Sequence, residues 1–144
     1  MTRLPEQIVG HAAEHFVCFD LAKRGFRVVS NMFEGSQYDV VAEHDGRFIK
    51  IQVKGTGSPK NKIGGAGHIT PTYKFTVRDI SIRNVDIIAF VAMDIEKILY
   101  VDASKSTGIS KSKWVSIGRM MTPDETAIIK YFGASSVQSQ IPQV

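Results

Sequence analysis

Cysteine is almost absent. Cys18 is the single one, which excludes an internal disulfide framework and any multi-cysteine zinc site. No apolar run approaches the roughly 18 residues of a membrane span, and no signal-peptide pattern opens the chain. A cytoplasmic protein without membrane association is therefore expected. Acid is missing where base is plentiful. Residues 46–78 contain Arg47, Lys50, Lys54, Lys60, Lys62, Lys74 and Arg78 but no Asp or Glu, and residues 103–123 add Lys105, Lys111, Lys113 and Arg119, again without acid. Two acid-free basic stretches suit a polyanion such as a nucleic-acid backbone, with Lys60, Lys62, Lys74, Arg78, Lys105, Lys111 and Lys113 as candidate phosphate contacts. A solvated basic surface is the plain alternative.

With 144 residues, 43% of them hydrophobic and 22% charged, the composition is globular and excludes a disordered or fibrous chain. A chain of this length buries roughly two thirds of its unfolded surface, so one domain over residues 1–133 is expected, followed by a small, polar, frayed tail over 134–144. Ile8, Val9, Ala12, Ala13, Phe16, Val17 and Leu21 recur at helical spacing. Pro5 suits the first turn and Gly25 the stop, which predicts a helix over 5–24. Phe26–Ser30 is followed by an irregular segment. Tyr38–Glu43 and Arg47–Lys54 read as strands joined by a hairpin at Asp45-Gly46, where both positions tolerate positive φ.

Facing residues of that hairpin have numbers summing to 91, so Val41 faces Lys50 and Asp39 faces Gln52, while Ile49, Ile51 and Val53 point into a core. Residues 55–72 read as a glycine-rich loop and 76–83 as a short helix capped by Thr76. Ile87–Met93 has the continuous apolar character of a buried strand. Ile98–Val101 and Trp114–Ile117 read as further strands, with Trp114 in the core. Thr122-Pro123-Asp124-Glu125 matches a capping box with proline at the first helical position, and Gly133 ends that helix. This order describes one mixed α/β domain.

Asp39, Gln52 and Lys54 share one face of the hairpin, and Glu14 lies on the preceding helix. Oxygen-bearing side chains converging on one face suit a hard divalent cation such as Mg²⁺. A lysine beside it can orient a water and offset charge on a phosphate. Each residue also has a plain explanation: Asp39 can pair with Lys54, and Gln52 can sit on a wet face. Their order is more telling. A helix carrying Glu14, Asp39 opening one strand and Gln52-Val53-Lys54 ending the next resembles the PD-(D/E)XK nuclease superfamily over about residues 8–56. Gly10-x-x-x-Glu14, Leu21-x-x-x-Gly25-Phe26, Asp39 and Lys54 are similar to small Holliday-junction resolvases. Gln52 and the Tyr73-Lys74-Phe75 segment followed by Asp86–Phe90 are closer to group I intron homing endonucleases of that type.

The resemblance implies a restriction-endonuclease-like αβββαβ core, a mixed sheet flanked by helices. It implies Mg²⁺ (Mn²⁺ as substitute) held by Glu14, Asp39, Gln52 and the Val53 carbonyl, with Glu14, Asp39, Gln52 and Lys54 catalytic. The activity implied is metal-dependent cleavage of double-stranded or branched DNA; because cutting both strands needs two sites of opposite polarity, a homodimer or dimer of dimers is expected. A Holliday-junction resolvase, or an inactive DNA-binding module of the same fold, is the alternative. Tyr38 stands where the motif has proline, and Gln52 where it usually has an acid. Gln52 keeps a carbonyl oxygen but loses a charge; Glu14 restores it only if the helix packs against the hairpin.

A competing pattern lies in the same helix. His11-Ala12-Ala13-Glu14-His15 matches the H-x-x-E-H zinc motif, but no third ligand is well placed, since Glu96 falls in a turn and Glu125 in the cap. Gly55–Gly57 and Gly64–Gly67 lack the spacing of a nucleotide-binding loop, and a mobile loop beside DNA is their functional reading. Cys18 is a plain helix residue.

Overall fold

The computed structural model describes residues 5–30, 38–77, 84–106 and 112–133. Helix α1 (Glu6–Lys23) leads into β1 (Arg27–Ser30), β2 (Val40–His44) and β3 (Arg47–Thr56). The β2–β3 turn has Asp45 at φ 50° and Gly46 at φ 76°, the two positive angles that a tight hairpin requires. Its register pairs His44 with Arg47 and Val41 with Lys50, as the Asp-Gly spacing predicts.

Beyond β3 the chain departs from expectation. Instead of a loop over 55–72, β3 continues to Thr56, and a hairpin follows, made of β4 (Lys60–Ile63), a 3₁₀ turn at Gly65–Gly67 and β5 (Ile69–Thr76). Its glycines form the tip, where Ala66 (φ 62°) and Gly67 (φ 76°) carry the reversal. Thr76 ends β5, and residues 78–83 of the expected short helix lie outside the described residues, as does the tail 134–144.

Strands β6 (Ile87–Ala92) and β7 (Lys97–Asp102) follow, then β8 (Ser112–Ser116), α2 (Ile117–Met121) and α3 (Thr126–Phe132). Ile117 therefore opens a helix rather than closing a strand. The capping box is not formed. Thr122 closes α2, donating from Oγ1 to the Gly118 carbonyl at 3.0 Å, so it cannot also start α3. Asp124 instead accepts from the Thr126 N–H at 3.1 Å, and Glu125 pairs with Arg24. Gly133, at φ 91°, ends α3 as expected.

Five strands form a mixed sheet in the order β1-β2-β3-β6-β7, with β3 and β6 parallel and the other pairs antiparallel; β4-β5-β8 form a second, antiparallel sheet. One face of the large sheet (Ile49, Ile51, Val53, Ile87, Ala89, Val91) packs on Ala13, Val17 and Leu21 of α1 and on Ala127, Ile128 and Phe132 of α3. The other face (Ile88, Phe90, Leu99) packs on Tyr73 and Phe75 of β5, Val115 of β8 and Met120 of α2. β6 is buried along its whole length because both its faces are covered. No helix among the described residues is long and apolar enough to cross a membrane.

Candidate active site

α1 lies unusually close to β3. A Cβ built on Gly55 would sit 2.6 Å from the Ala13 Cβ and 3.4 Å from the Val9 carbonyl oxygen. Gly55 is therefore neither a loop residue nor part of a phosphate cradle. It is the flat spot that lets the helix approach the strand carrying Gln52 and Lys54, and it brings Glu14, next to Ala13, toward the hairpin.

Asp39 precedes β2 and is fixed by the β3 backbone. Its N–H donates to the Ile51 carbonyl at 2.9 Å, and its Oδ2 accepts from the Val53 N–H at 2.8 Å. Burial pushes the Asp39 carboxyl up, against the opposing pull of the Val53 N–H and of Lys54. Glu14 is also raised, by burial first and then by repulsion from Asp39, with His11 and His15 working the other way. The two carboxylates thus sense each other inside a partly desolvated site.

Gln52 is not on a wet face. It is 9% exposed, beside Ile88 of β6, and its Oε1 is buried without a hydrogen-bond partner. A buried carbonyl oxygen with nothing to accept from is costly. Lys54, two residues on and beside Phe90, is half-buried. Among the described residues no three His, Cys, Asp or Glu side chains cluster to hold a metal, and His11 and His15 are exposed, so the H-x-x-E-H pattern gains no third ligand. The fold holds two carboxylates that repel each other and, across the continued β2–β3 register from Asp39, an amide oxygen without a partner. These are hard oxygen donors, and their chemistry fits a divalent cation.

The basic residues divide. By register Lys60, Lys62 and Lys74 share one face of the second sheet. Trp114 is cross-strand from Lys74 on that same face, half-exposed rather than in the core. The Lys62 and Lys74 ammonium groups stand 5.4 and 5.2 Å from its ring centroid, within cation–π range. Sequence reading missed this because Trp114 and Val115 alternate along one strand, and only one of them can face inward. Lys113 pairs with Phe75 on the opposite face, its pKa lowered by burial and by Arg119. Lys105 is exposed in a 3₁₀ segment, while Arg78 and Lys111 lie outside the described residues.

The family model of PD-(D/E)XK endonucleases matches residues 5–126. No curated protein matches the sequence. Among solved structures, a bacterial homing endonuclease, I-Ssp6803I, is similar with a TM-score of 0.61 at 17% identity, over 76% of this chain and 74% of that one. That likeness is one of fold. The family match spans most of the chain, and the protein belongs to the PD-(D/E)XK endonuclease family.

Proposed function

We propose that this nuclease hydrolyses phosphodiester bonds in double-stranded DNA with the help of a divalent cation, Mg²⁺ or Mn²⁺ in its place. The observation that carries this is the buried, unpartnered Gln52 Oε1 on β3, across the continued β2–β3 register from Asp39. Glu14, Asp39, Gln52 and the Val53 carbonyl are the groups that would hold the ion. When bound, it would supply Lewis acidity at a phosphate oxygen and a more acidic water. Lys54 would orient the attacking water and offset charge growing on the phosphate. The Val53 N–H holds Asp39 in one orientation, so the carboxylate needs little reorganisation on binding.

Gln52 in place of an acid favours the second reading, an inactive DNA-binding module. The likeness to a homing endonuclease supports cleavage of duplex DNA, and the resolvase-like motifs make a four-way junction the other substrate to try. Two strands of opposite polarity call for two such sites, so a two-fold homodimer, or a dimer of dimers, is the proposed assembly, open to a sedimentation test. Supercoiled plasmid and a four-way junction, incubated with Mg²⁺, Mn²⁺ or chelator, decide among these. Metal-dependent nicking or linearisation is expected, lost in Lys54→Ala with the fold retained. Absence of cleavage on every form, with DNA binding retained, leaves the binding module.

A further inference from the structure

The β4–β5 hairpin carries an apolar row out of the core. Tyr73 and Phe75 are buried against the large sheet. The same face of β5 continues to Pro71 and Ile69, which pair in register with Asn61 and Ile63 of β4. Ile63 and Ile69 are directly opposite each other and are 75% and 61% exposed, so they contribute little to folding. The reverse face holds Lys60 and Lys62. The tip, Gly64-Gly65-Ala66-Gly67, is nearly free of side chains, and a Cβ at Gly65 or Gly67 would meet nothing within 4 Å. Its slenderness is therefore not imposed by packing.

We infer that this hairpin is an arm that enters the minor groove of DNA and presses the Ile63–Ile69 pair against a base step. This rests on the DNA-cleaving function proposed above. The minor groove is about 6 Å wide, which favours a thin tip. Isoleucine is among the residues that wedge between base steps and kink a duplex. Charge selects DNA over a second copy of this chain: residues 57–76 carry Lys60, Lys62, His68 and Lys74 and no acid, so two arms repel each other and attract phosphate.

The test uses an end-labelled A·T-rich duplex with Ca²⁺ to hold the complex uncleaved, and reads affinity by titration and bending by energy transfer between the ends. Ile63→Ser/Ile69→Ser is expected to lose the bend and bind roughly tenfold more weakly, with the salt dependence of binding unchanged because the lysines remain. Phe19→Ser, which removes an equally exposed apolar side chain (61%) from α1, is expected to change neither. Bend and affinity unchanged in the double variant overturn the inference. So does a double variant that alters the sedimentation of the DNA-free protein, which would make the pair a contact between copies. Failure of the wild type to bind any DNA overturns the proposed function first, and the arm with it.

Discussion

Glu14 and Asp39 are held in a state that costs folding energy. A carboxyl whose folded pKa is raised is charged more easily in the unfolded chain, so stability falls as pH climbs from the ordinary carboxylate value to the raised one. Removing the charge should reverse that loss. Glu14→Gln is expected to raise Tm at pH 7 in chelator and to show no gain below the ordinary carboxylate range, while cleavage is abolished. Thermal melts across pH check it; a lower Tm at pH 7 would mean that Glu14 makes a stabilising contact instead. Asp102 behaves oppositely. Burial pushes its carboxyl up, but hydrogen bonds from Lys130 and Ser104 outweigh that and hold it down to about 2. Its stabilisation is present above the ordinary value of 3.8 and is lost as pH falls from there toward 2. Asp102→Asn should lower Tm at neutral pH, with the gap to wild type closing across that window.

Between elements, two contacts set where α1 lies. At one end Arg24 donates to Glu125 through both terminal nitrogens (2.8 and 2.9 Å) and through Nε to Asp20 (2.9 Å), while the Tyr100 hydroxyl donates to the same Asp20 at 2.7 Å. α1, β7 and the start of α3 are joined in one network, which is what Glu125 does instead of capping. Midway along the helix Gly55 sits beneath Ala13. Gly55→Ala should destabilise by about 1–3 kcal/mol through overpacking and reduce cleavage by displacing Glu14. Adding Ala13→Gly should restore both, because it empties the contested 2.6 Å contact. Denaturant melts and plasmid nicking on the single and double variants check it, and lack of rescue would place the strain elsewhere.

At the scale of the molecule, the Lys60–Lys62–Lys74 face and the arm beside it are the surface proposed to meet DNA. Affinity should fall steeply with salt, and Lys60→Ala/Lys62→Ala/Lys74→Ala should flatten the slope by about 0.9 for each phosphate that is no longer neutralised. An unaltered slope would make these lysines merely solubilising. The sequence by itself determined the elements whose signals are local. α1 follows from its helical spacing, the β2–β3 register from Asp45-Gly46, the buried β6 from its apolar run, and the order of Glu14, Asp39, Gln52 and Lys54 from a motif confined to two strands and a helix. Signals that depend on distant partners were decided only by the tertiary structure. Glycines at 55–67 look like a loop until α1 presses on Gly55 and Gly64, Gly65 and Gly67 become a hairpin tip. Thr122-Pro123-Asp124-Glu125 looks like a cap until α2 takes Thr122 and Arg24 takes Glu125. Burial of Gln52 requires β6 alongside β3, which no local pattern encodes, because a residue's surroundings are set by the strands that pair with it and not by its neighbours along the chain.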